Sequence, residues 1–385
     1  MKIAFIGSRG IPARYSGFET FYEQLAVRLA ARGHDVTVYN RSHFIQDVRG
    51  SYQGVRLVTL PSIPTKHLDT LSHTLVSSLH ALTQGYDIAY YCIVGNSPLV
   101  WLPRLSGTSV LLNVDGEDWA REKWGRFARW YQRQCEAIAC RTAHTLIADA
   151  REVQRRYRER YHAESIFVPY GANTDGGDGN AALEKWKLES GRYIFYVGRF
   201  VPENAIDLLI RAYRRLNTCM KLVIVGDAPY MDDHKRSLRE LAAGDARIVF
   251  TGYAFGSDYA QLSRHAYLYV QPSGIDGTRP ALLDQLGFGN CVVVRNSKVN
   301  MEVIGSAGFS FDRERPDDSL AEILQRLIAH PDEVAGMKAL ARDRIERYYN
   351  WEWITDFYLD LFERLRRRGP VISYDDYLAS HRPAS

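Results

Sequence analysis

Two aspartates in the segment DGTRPALLD, residues 276–284, have the spacing to bind one ligand. The apolar run before them predicts a strand, and the residues after the proline predict a helix. Free N–H groups at the start of a helix favour anions, so the intervening loop is a candidate anion pocket. Its residues are Gly277, Thr278, Arg279 and Pro280.

The two carboxylates have different expected roles at such a pocket. Asp276 on the loop would be repelled by a phosphate, so we expect it to face hydroxyl donors or developing positive charge. Asp284, two turns into the helix, could accept two hydrogen bonds from a ribose diol. This pattern suits a nucleoside diphosphate sugar, which is anionic in the middle and rich in hydroxyls at both ends. The alternative is a solvated loop aspartate and an aspartate on a helix face.

Two arginine-bearing loops follow predicted strands. In VGRFVPEN, Arg199 comes after a glycine at a strand end, and a guanidinium can grip a phosphate with two parallel hydrogen bonds. In GSRGIPARYSGFET, Gly10 and Gly17 allow close backbone approach, and Gly17 opens a helix. The alternatives are a surface salt bridge for the first loop and an ordinary strand-to-helix turn for the second.

A third candidate acid follows the predicted strand SVLLNV. Asp115 comes directly after that strand, at the carboxyl edge where doubly wound sheets bind their ligands. A carboxylate there could orient an acceptor hydroxyl or stabilise an oxocarbenium-like centre. Asp118 is instead expected to cap the helix that follows.

Short apolar runs alternate with helix-period segments in both halves of the chain. Runs such as KIAFIG and RYIFYVG are typical of strands, and GFETFYEQLAVRLAARG is typical of a helix. The alternation predicts an α/β fold of two Rossmann-like, doubly wound domains facing each other across a cleft. Neither half carries the GxGxxG dinucleotide fingerprint.

The alternation is interrupted by the Gly/Asn/Asp-rich segment GANTDGGDGNAA, which predicts a linker. The expected order is an N-terminal acceptor-side domain, this linker, a C-terminal donor domain, a helix that crosses back to the first domain, and a tail. Their bounds are 1–170, 171–182, 183–350, 351–368 and 369–385.

Composition narrows the class of partner. The chain is 46% hydrophobic and 24% charged with a net charge of only +4, which argues against a dedicated nucleic-acid binder. The start MKIAFIG predicts a strand and not a signal peptide, because Gly7 and Arg9 interrupt it. With no run of about 18 apolar residues, a cytoplasmic location or attachment to the inner face of the cell membrane is expected.

The segment EKWGRFARWYQRQCEAI predicts a helix with one apolar and one basic side. The apolar stripe is Trp124, Phe127, Tyr131, Cys135 and Ile138; the opposite side holds Arg126, Arg129 and Arg133, with Trp130 at its edge. A basic face with an exposed tryptophan suits an anionic membrane surface or a lipid-diphosphate acceptor. The alternative is a solvated arginine face on a core helix.

Together these motifs resemble those of the GT-B glycosyltransferases of family 4, over nearly the whole chain. GRFVPEN resembles the family's G-R-x-x-P-E-K diphosphate grip, DGTRPALLD its E-x7-E motif, and VPYGAN its P-x-G-x-D junction. The opening residues MKIAFIGSRGIPARYSGFETFYEQLA, with NVDGEDWAREKW, are similar to bacterial rhamnosyltransferase-like members that build surface polysaccharides.

The resemblance implies a role for each matching residue. Arg199 and Asn204 would hold the donor diphosphate, Asp284 the ribose, and Asp276 the donor sugar. The remaining expected contacts are Gly277, Thr278, Arg279 and Pro280 around the backbone pocket, and Gly10 and Gly17 facing the donor phosphates or the acceptor. The expected catalytic residues are Asp115, Arg199 and Asp276.

The resemblance further implies a retaining transfer, with no metal and no cofactor, of a sugar such as L-rhamnose. The donor would be dTDP-, UDP- or GDP-linked, and the acceptor a glycan or a polyprenyl-diphosphate-linked glycan. The chain departs from the family at five positions: Asn204 replaces the lysine, Asp276 and Asp284 replace both glutamates, Asn173 replaces the junction aspartate, and Arg279 replaces a glycine and can restore the lost charge. Two alternatives stay open, a GT-B protein that binds nucleotide sugar with weak or lost catalysis, and a GT-B epimerase or phosphorylase.

Overall fold

The computed structural model divides the chain into two units, each with its own parallel sheet. The first unit comprises Met1–Tyr170 together with Trp351–Ser385, and the second comprises Gly171–Asn350. The residues that the structure describes are 1–14, 17–48, 50–65, 68–114, 125–175, 179–229, 231–274 and 277–381.

The strands of the described residues are short and largely buried. Those of the first unit are β1 (Lys2–Ile6), β2 (Asp35–Arg41), β3 (Ser51–Tyr52), β4 (Val55–Leu60), β5 (Ile88–Tyr91), β6 (Ser109–Val114), β7 (Thr145–Ala148) and β8 (Ile166–Phe167). Those of the second are β9 (Tyr193–Val197), β10 (Lys221–Val225), β11 (Ile248–Gly252), β12 (Leu268–Gln271), β13 (Cys291–Arg295) and β14 (Phe309–Phe311).

Helices alternate with these strands. They are α1 (Gly17–Ala31), α2 (Asp69–Ala81), α3 (Arg126–Thr142), α4 (Arg151–Tyr161), α5 (Ala181–Lys185), α6 (Ile206–Arg214), α7 (Asp232–Ala242), α8 (Gly256–Arg264), α9 (Pro280–Gly287), α10 (Lys298–Ile304), α11 (Pro316–Ala329), α12 (Pro331–Tyr348), α13 (Trp351–Arg366) and α14 (Tyr374–His381). In α1 the residues Phe21, Leu25 and Leu29 recur every four positions and are buried, as a helix packed on a sheet requires.

Both sheets have the topology of doubly wound folds. Their strand orders are β3-β4-β2-β1-β5-β6-β7-β8 and β11-β10-β9-β12-β13-β14, and the pairing is parallel except between β3 and β4. In the second sheet, Ile194 of β9 pairs with Leu222 on one side and with Leu268 on the other. These strands read as nearly continuous apolar runs because helices cover both faces of a parallel sheet. The α/β class with two Rossmann-like domains is therefore confirmed.

The last long helix belongs to the first unit, where it packs on α1. The rings of Trp351 and Tyr358 lie 6.0 and 5.8 Å from the ring of Phe21. Glu352 of α13 accepts hydrogen bonds from Arg28 and Arg32 of α1. No helix in the described ranges combines the length and apolar character that crossing a bilayer requires.

The structure contains a helix in each of the two segments predicted as the linker and the tail. Helix α5 begins inside the segment predicted as a linker, because the amide of Ala182 donates to Gln261 Oε1 at 2.9 Å and Ala182 is buried. Helix α14 lies inside the predicted tail, because Tyr374 and Tyr377 pack on the ring of Phe357 at 5.2 and 5.4 Å. Both segments gain structure from contacts with residues far away in the sequence.

Candidate functional site

Two glycines bring the central strands of the second sheet together at their carboxyl ends. Gly226, which follows β10, has φ +136°, and a Cβ there would overlap the carbonyl oxygen of Gly198. A Cβ on Gly198, which follows β9, would lie 2.5 Å from the Tyr196 hydroxyl oxygen. Only glycine fits at position 226, where the Gly198 backbone approaches so closely. The sheet edge that carries Arg199 is therefore closely packed.

The segment GRFVPEN folds back on itself immediately after β9. Its residues Pro202–Asn204 form a short 3₁₀ turn. The side-chain amide of Asn204 donates to the carbonyl oxygen of Arg199 at 2.7 Å, and Asn204 is only 6% exposed. Asn204 therefore fixes the backbone that presents Arg199, whose side chain is half-buried.

Arg279 joins this segment from the start of α9. Its Nη1 donates to Asn204 Oδ1 at 3.1 Å, and its Nη2 donates to Ser273 Oγ at 2.6 Å. Ser273, just beyond β12, donates in turn to the carbonyl oxygen of Glu203 at 2.8 Å. A hydrogen bond thus joins Asn204 to Arg279. Asn204 stands where the family motif has a lysine, and Arg279 stands where it has a glycine.

The charges of Arg199 and Arg279 both affect the pKa of one buried phenol, that of Tyr196. Tyr196 is 1% exposed, and burial raises its pKa, while the charges of Arg279 and Arg199 and a hydrogen bond to Asn204 oppose the rise. A cation influences a pKa in this way only from nearby. Arg199 and Arg279 therefore lie in the same electrostatic surroundings within the second unit.

The start of α9 adds partial positive charge to this place. Arg279 occupies the N-cap position with extended backbone, and Pro280 is the first helical residue, where its missing N–H costs nothing. Gly277 has φ +108° and is buried, and Thr278 is half-buried. The helix dipole favours an anion at such a position, and the N-cap residue is itself a cation.

Asp284 is engaged with its own unit. It is 6% exposed, and its two oxygens accept from the backbone amide of Asn173 at 2.9 Å and from the hydroxyl of Tyr259 at 3.1 Å. Burial raises the pKa of Asp284 to about 6, and the bonds from Asn173 and Tyr259 oppose the rise. Asp284 ties residue 173 to α9 in this arrangement, so its contact with a ribose stays a prediction that requires one of these bonds to exchange.

The other two predicted carboxylates, Asp115 and Asp276, lie outside the described residues. Their expected roles toward the acceptor and the donor sugar stay predictions. In the described part of the chain, no group of three or more His, Cys, Asp or Glu residues is placed to hold a metal ion.

The loop after β1 packs against its own unit. Gly10 has φ +116°, and a Cβ on it would overlap the Asn40 side chain. Asn40 accepts from the Ile11 amide at 3.0 Å and donates to the Ile11 carbonyl at 2.8 Å. Gly17 is the first residue of α1 and is half-buried. The fold therefore requires glycine at position 10 whatever the ligand, and the predicted ligand contacts of Gly10 and Gly17 stay predictions.

Charged groups of this first loop also bind within the unit. The guanidinium of Arg9 lies 4.1 Å from the centroid of the Phe44 ring. Arg14 forms an ion pair with Asp47, and the amide of Ala13 donates to Glu23 at 2.6 Å.

Sequence reasoning missed two residues of the second unit. Ser273 bridges Arg279 to the 3₁₀ turn, and Tyr259 holds Asp284. The signal for Ser273 was available, since it is a small polar residue directly after a buried strand. Tyr259 carries no such signal, because its contact spans 25 residues along the chain.

The two units match two protein-family descriptions. Residues 16–171 match "Glycosyl transferase 4-like domain", and residues 191–330 match "Glycosyl transferases group 1". Between them the matches cover most of both sheets. Each unit therefore matches a family of glycosyltransferase domains, and the fold of two Rossmann-like domains is that of the GT-B glycosyltransferases.

One curated relative and two solved structures illustrate the likeness. The chain is 29% identical over 188 residues to the O-antigen chain mannosyltransferase B of Escherichia coli. The aligned residues cover 48% of this chain and 49% of that protein. The chain therefore spans about half the length of this relative.

The structural likeness extends further than the sequence likeness. Sucrose-phosphate synthase of Thermosynechococcus elongatus superposes with a TM-score of 0.80 at 19% identity, over 96% of this chain and 100% of that one. Anabaena HepE, solved in complex with UDP and glucose, gives 0.76 at 16% identity, over 94% and 99% of the two chains. At these identities the superpositions support the fold.

Proposed function

We propose that the protein transfers a sugar from a nucleoside diphosphate sugar to a lipid-linked or growing surface polysaccharide at the inner face of the cell membrane. The observation that carries the proposal is the meeting of Arg199, Asn204 and Arg279 at the carboxyl end of β9. In this proposal the transfer is retaining and needs neither metal nor cofactor.

The central requirement of such a transfer is a stabilised leaving group. When the bond between the anomeric carbon and the diphosphate oxygen breaks, negative charge develops on the diphosphate. Arg199 and Arg279 neutralise that charge, and a guanidinium is suited to do so with paired hydrogen bonds. Asn204 and Ser273 hold Arg279 through neutral oxygens, so these bonds orient the guanidinium without cancelling its charge.

Retention follows from a front-face route in this proposal. The acceptor oxygen attacks from the side on which the diphosphate departs, and a diphosphate oxygen takes the acceptor's proton. Asp276 then holds the donor sugar and Asp115 orients the acceptor hydroxyl.

L-rhamnose is the first candidate sugar, because the N-terminal motifs resemble rhamnosyltransferase-like members. D-mannose is the second, favoured by the match to an O-antigen mannosyltransferase. UDP is a candidate carrier because HepE was solved with UDP. Thermal-shift measurements with UDP, GDP, dTDP and ADP, followed by the matching sugars, separate these possibilities.

The experiment that tests the transfer is Arg199→Ala with the selected donor and acceptor. We expect turnover to fall by about 100-fold to 1,000-fold, the usual loss for a group that stabilises transition-state charge. The melting temperature should stay near that of the wild type. Arg236→Ala is the matched control, because Arg236 is a 69% exposed arginine on α7. Turnover of Arg199→Ala within tenfold of the wild type would contradict the proposal.

A nucleotide-sugar-binding protein with weak or lost catalysis is the second candidate. It is favoured by Asp284, whose oxygens already accept hydrogen bonds from Asn173 and Tyr259. Donor binding without transfer to any acceptor fraction from cells would select it. Release of an altered nucleotide sugar, or a phosphate-dependent reaction, would select an epimerase or a phosphorylase.

A further inference from the structure

Exposed apolar side chains are concentrated in one stretch of the first unit. Of the fourteen large hydrophobic side chains that are exposed in the described residues, nine lie between Ile63 and Trp130. Leu75 and Leu79 lie one turn apart on α2, and Leu68 directly precedes that helix. Single exposed apolar residues are ordinary, whereas apolar residues that adjoin one another on the surface mark an interaction site.

Helix α3 turns polar residues inward and aromatic residues outward. Gln132 and Glu136 are buried, whereas Phe127 is 77% exposed and Trp130 is 56% exposed. The Phe127 and Trp130 ring centroids are 5.7 Å apart. The predicted apolar stripe was wrong at Phe127, because the side of α3 that faces the unit is the one carrying Gln132, Cys135 and Glu136.

The inward side of α3 is tied firmly to the unit. A 3₁₀ turn, Val94–Leu99, packs against both α2 and α3. Tyr131 donates from its hydroxyl to the Gly95 carbonyl at 3.0 Å, and Ser97 donates to the Cys135 carbonyl at 2.7 Å. The orientation of α3 is therefore fixed by its buried contacts, and the outward direction of the two aromatic rings is a property of the fold.

The exposed side of α3 is also cationic. Residues 126–135 contain three arginines and no aspartate or glutamate. Arg126 and Arg129 are exposed, one helical turn apart, beside the two rings. The first acid of the helix, Glu136, is buried and accepts a hydrogen bond from the Tyr161 hydroxyl at 2.5 Å.

We infer that the face formed by Arg126, Phe127, Arg129 and Trp130, hereafter the α3 face, docks on the surface of an anionic phospholipid bilayer. Arginines attract lipid phosphates, and aromatic rings enter the boundary between headgroups and acyl chains. The rings favour a bilayer over free phosphate, since free phosphate offers nothing apolar to cover them. The inference names the surface by which the proposed function would reach the membrane, and it is tested separately because vesicle binding needs neither donor nor acceptor.

Vesicle cosedimentation with the full-length protein tests this inference. We expect binding to vesicles of phosphatidylcholine mixed with phosphatidylglycerol, little binding to phosphatidylcholine alone, and weaker binding as salt is raised. Arg126→Ala and Arg129→Ala should each weaken binding roughly fivefold. The double variant Phe127→Ser, Trp130→Ser should weaken it by about tenfold or more.

Phe255→Ser is the matched control. Phe255 is 55% exposed in the second unit and stacks on Tyr253 at 5.5 Å, so it presents a similar aromatic pair. The Phe255→Ser variant should bind vesicles like the wild type. All variants should have the melting temperature of the wild type. Equal binding to neutral and anionic vesicles, or unchanged binding of the double variant, would overturn the inference. Sedimentation that needs no vesicles and is lost in the double variant would also overturn it, in favour of self-association.

Discussion

Each unit places a glycine and an arginine after its first strand, but the two loops use their polar groups differently. In the first unit Gly7 leads to Arg9, which stacks on Phe44. Further along the same loop Arg14 pairs with Asp47. This loop therefore binds its cations to an aromatic ring and a carboxylate of its own unit.

In the second unit Gly198 leads to Arg199, which shares the electrostatic surroundings of Tyr196 with Arg279. The described hydrogen bonds of the Arg279 side chain go to the neutral oxygens of Asn204 and Ser273. A carboxylate partner fixes and neutralises a guanidinium, whereas an amide or hydroxyl oxygen fixes it and leaves its charge. Among the described contacts, the first loop therefore holds Arg14 with a carboxylate, whereas the second unit holds Arg279 with two neutral oxygens.

The largest expected effect comes from filling the space at the end of β10. Gly226→Ala would push the new Cβ into the Gly198 carbonyl oxygen at a backbone φ of +136°. We expect the free energy of unfolding to fall by about 2–5 kcal/mol, from strain and overpacking together. Urea unfolding followed by circular dichroism measures this loss.

The control for this variant is Gly244→Ala. Gly244 also has a positive φ, +81°, but nothing lies within 4 Å of its Cβ position. It should lose only about 1 kcal/mol, from backbone strain alone. Equal losses for the two variants would show that close packing at Gly198 is not what requires Gly226.

The next effect is the pH dependence that Asp284 introduces. Its pKa is about 6 in the folded protein because it is buried, against about 3.9 in an unfolded chain. The unfolded state thus ionises first, so the contribution to stability is complete below about pH 4 and is lost as pH rises through 6. We expect a loss of about 2–3 kcal/mol over this range.

Asp284→Asn isolates this contribution, because an amide of the same shape keeps an acceptor oxygen and does not titrate. The difference in the free energy of unfolding, wild type minus variant, should decrease as pH rises from 4 to 7. A difference that is constant over this range would show that Asp284 is not the titrating group.

Much of the fold was predictable because parallel strands covered on both faces are continuous apolar runs. The strands that hold Ile3, Ile194 and Val293 are of this kind, and each carries its signal within five residues. Helices α5 and α14 were not predicted, because contacts with Gln261 and Phe357 stabilise them. Those contacts are long-range, so the sequence pattern within each helix does not predict them.

The candidate site divides in the same way. The sequence alone indicated that the positive charge missing at Asn204 is supplied by Arg279. The structure adds the hydrogen bond between the two side chains. The bond from Asn173 to Asp284 spans 111 residues and could not be predicted from either segment alone. Phe127 was misplaced because helical spacing identifies a stripe of apolar residues without saying whether the unit covers it.

The smallest expected effect concerns the loop of the first unit. Arg14 and Asp47 are both about half exposed, so Arg14→Ala should change the free energy of unfolding only slightly. If Arg14 only stabilises its own loop by pairing with Asp47, the affinity for a nucleoside diphosphate should change by less than about twofold. A large loss of affinity, measured by calorimetry, would assign Arg14 to the donor and remove the contrast between the two loops.

The most direct test of the central claim is a double-mutant cycle with Arg199→Ala and Arg279→Ala. Calorimetry would compare the best-binding of UDP, GDP and dTDP with its parent nucleoside. We predict that each variant weakens diphosphate binding about tenfold or more, leaves nucleoside binding nearly unchanged, and shows a coupling above about 0.5 kcal/mol. Diphosphate binding by Arg279→Ala that equals the wild type would contradict the account.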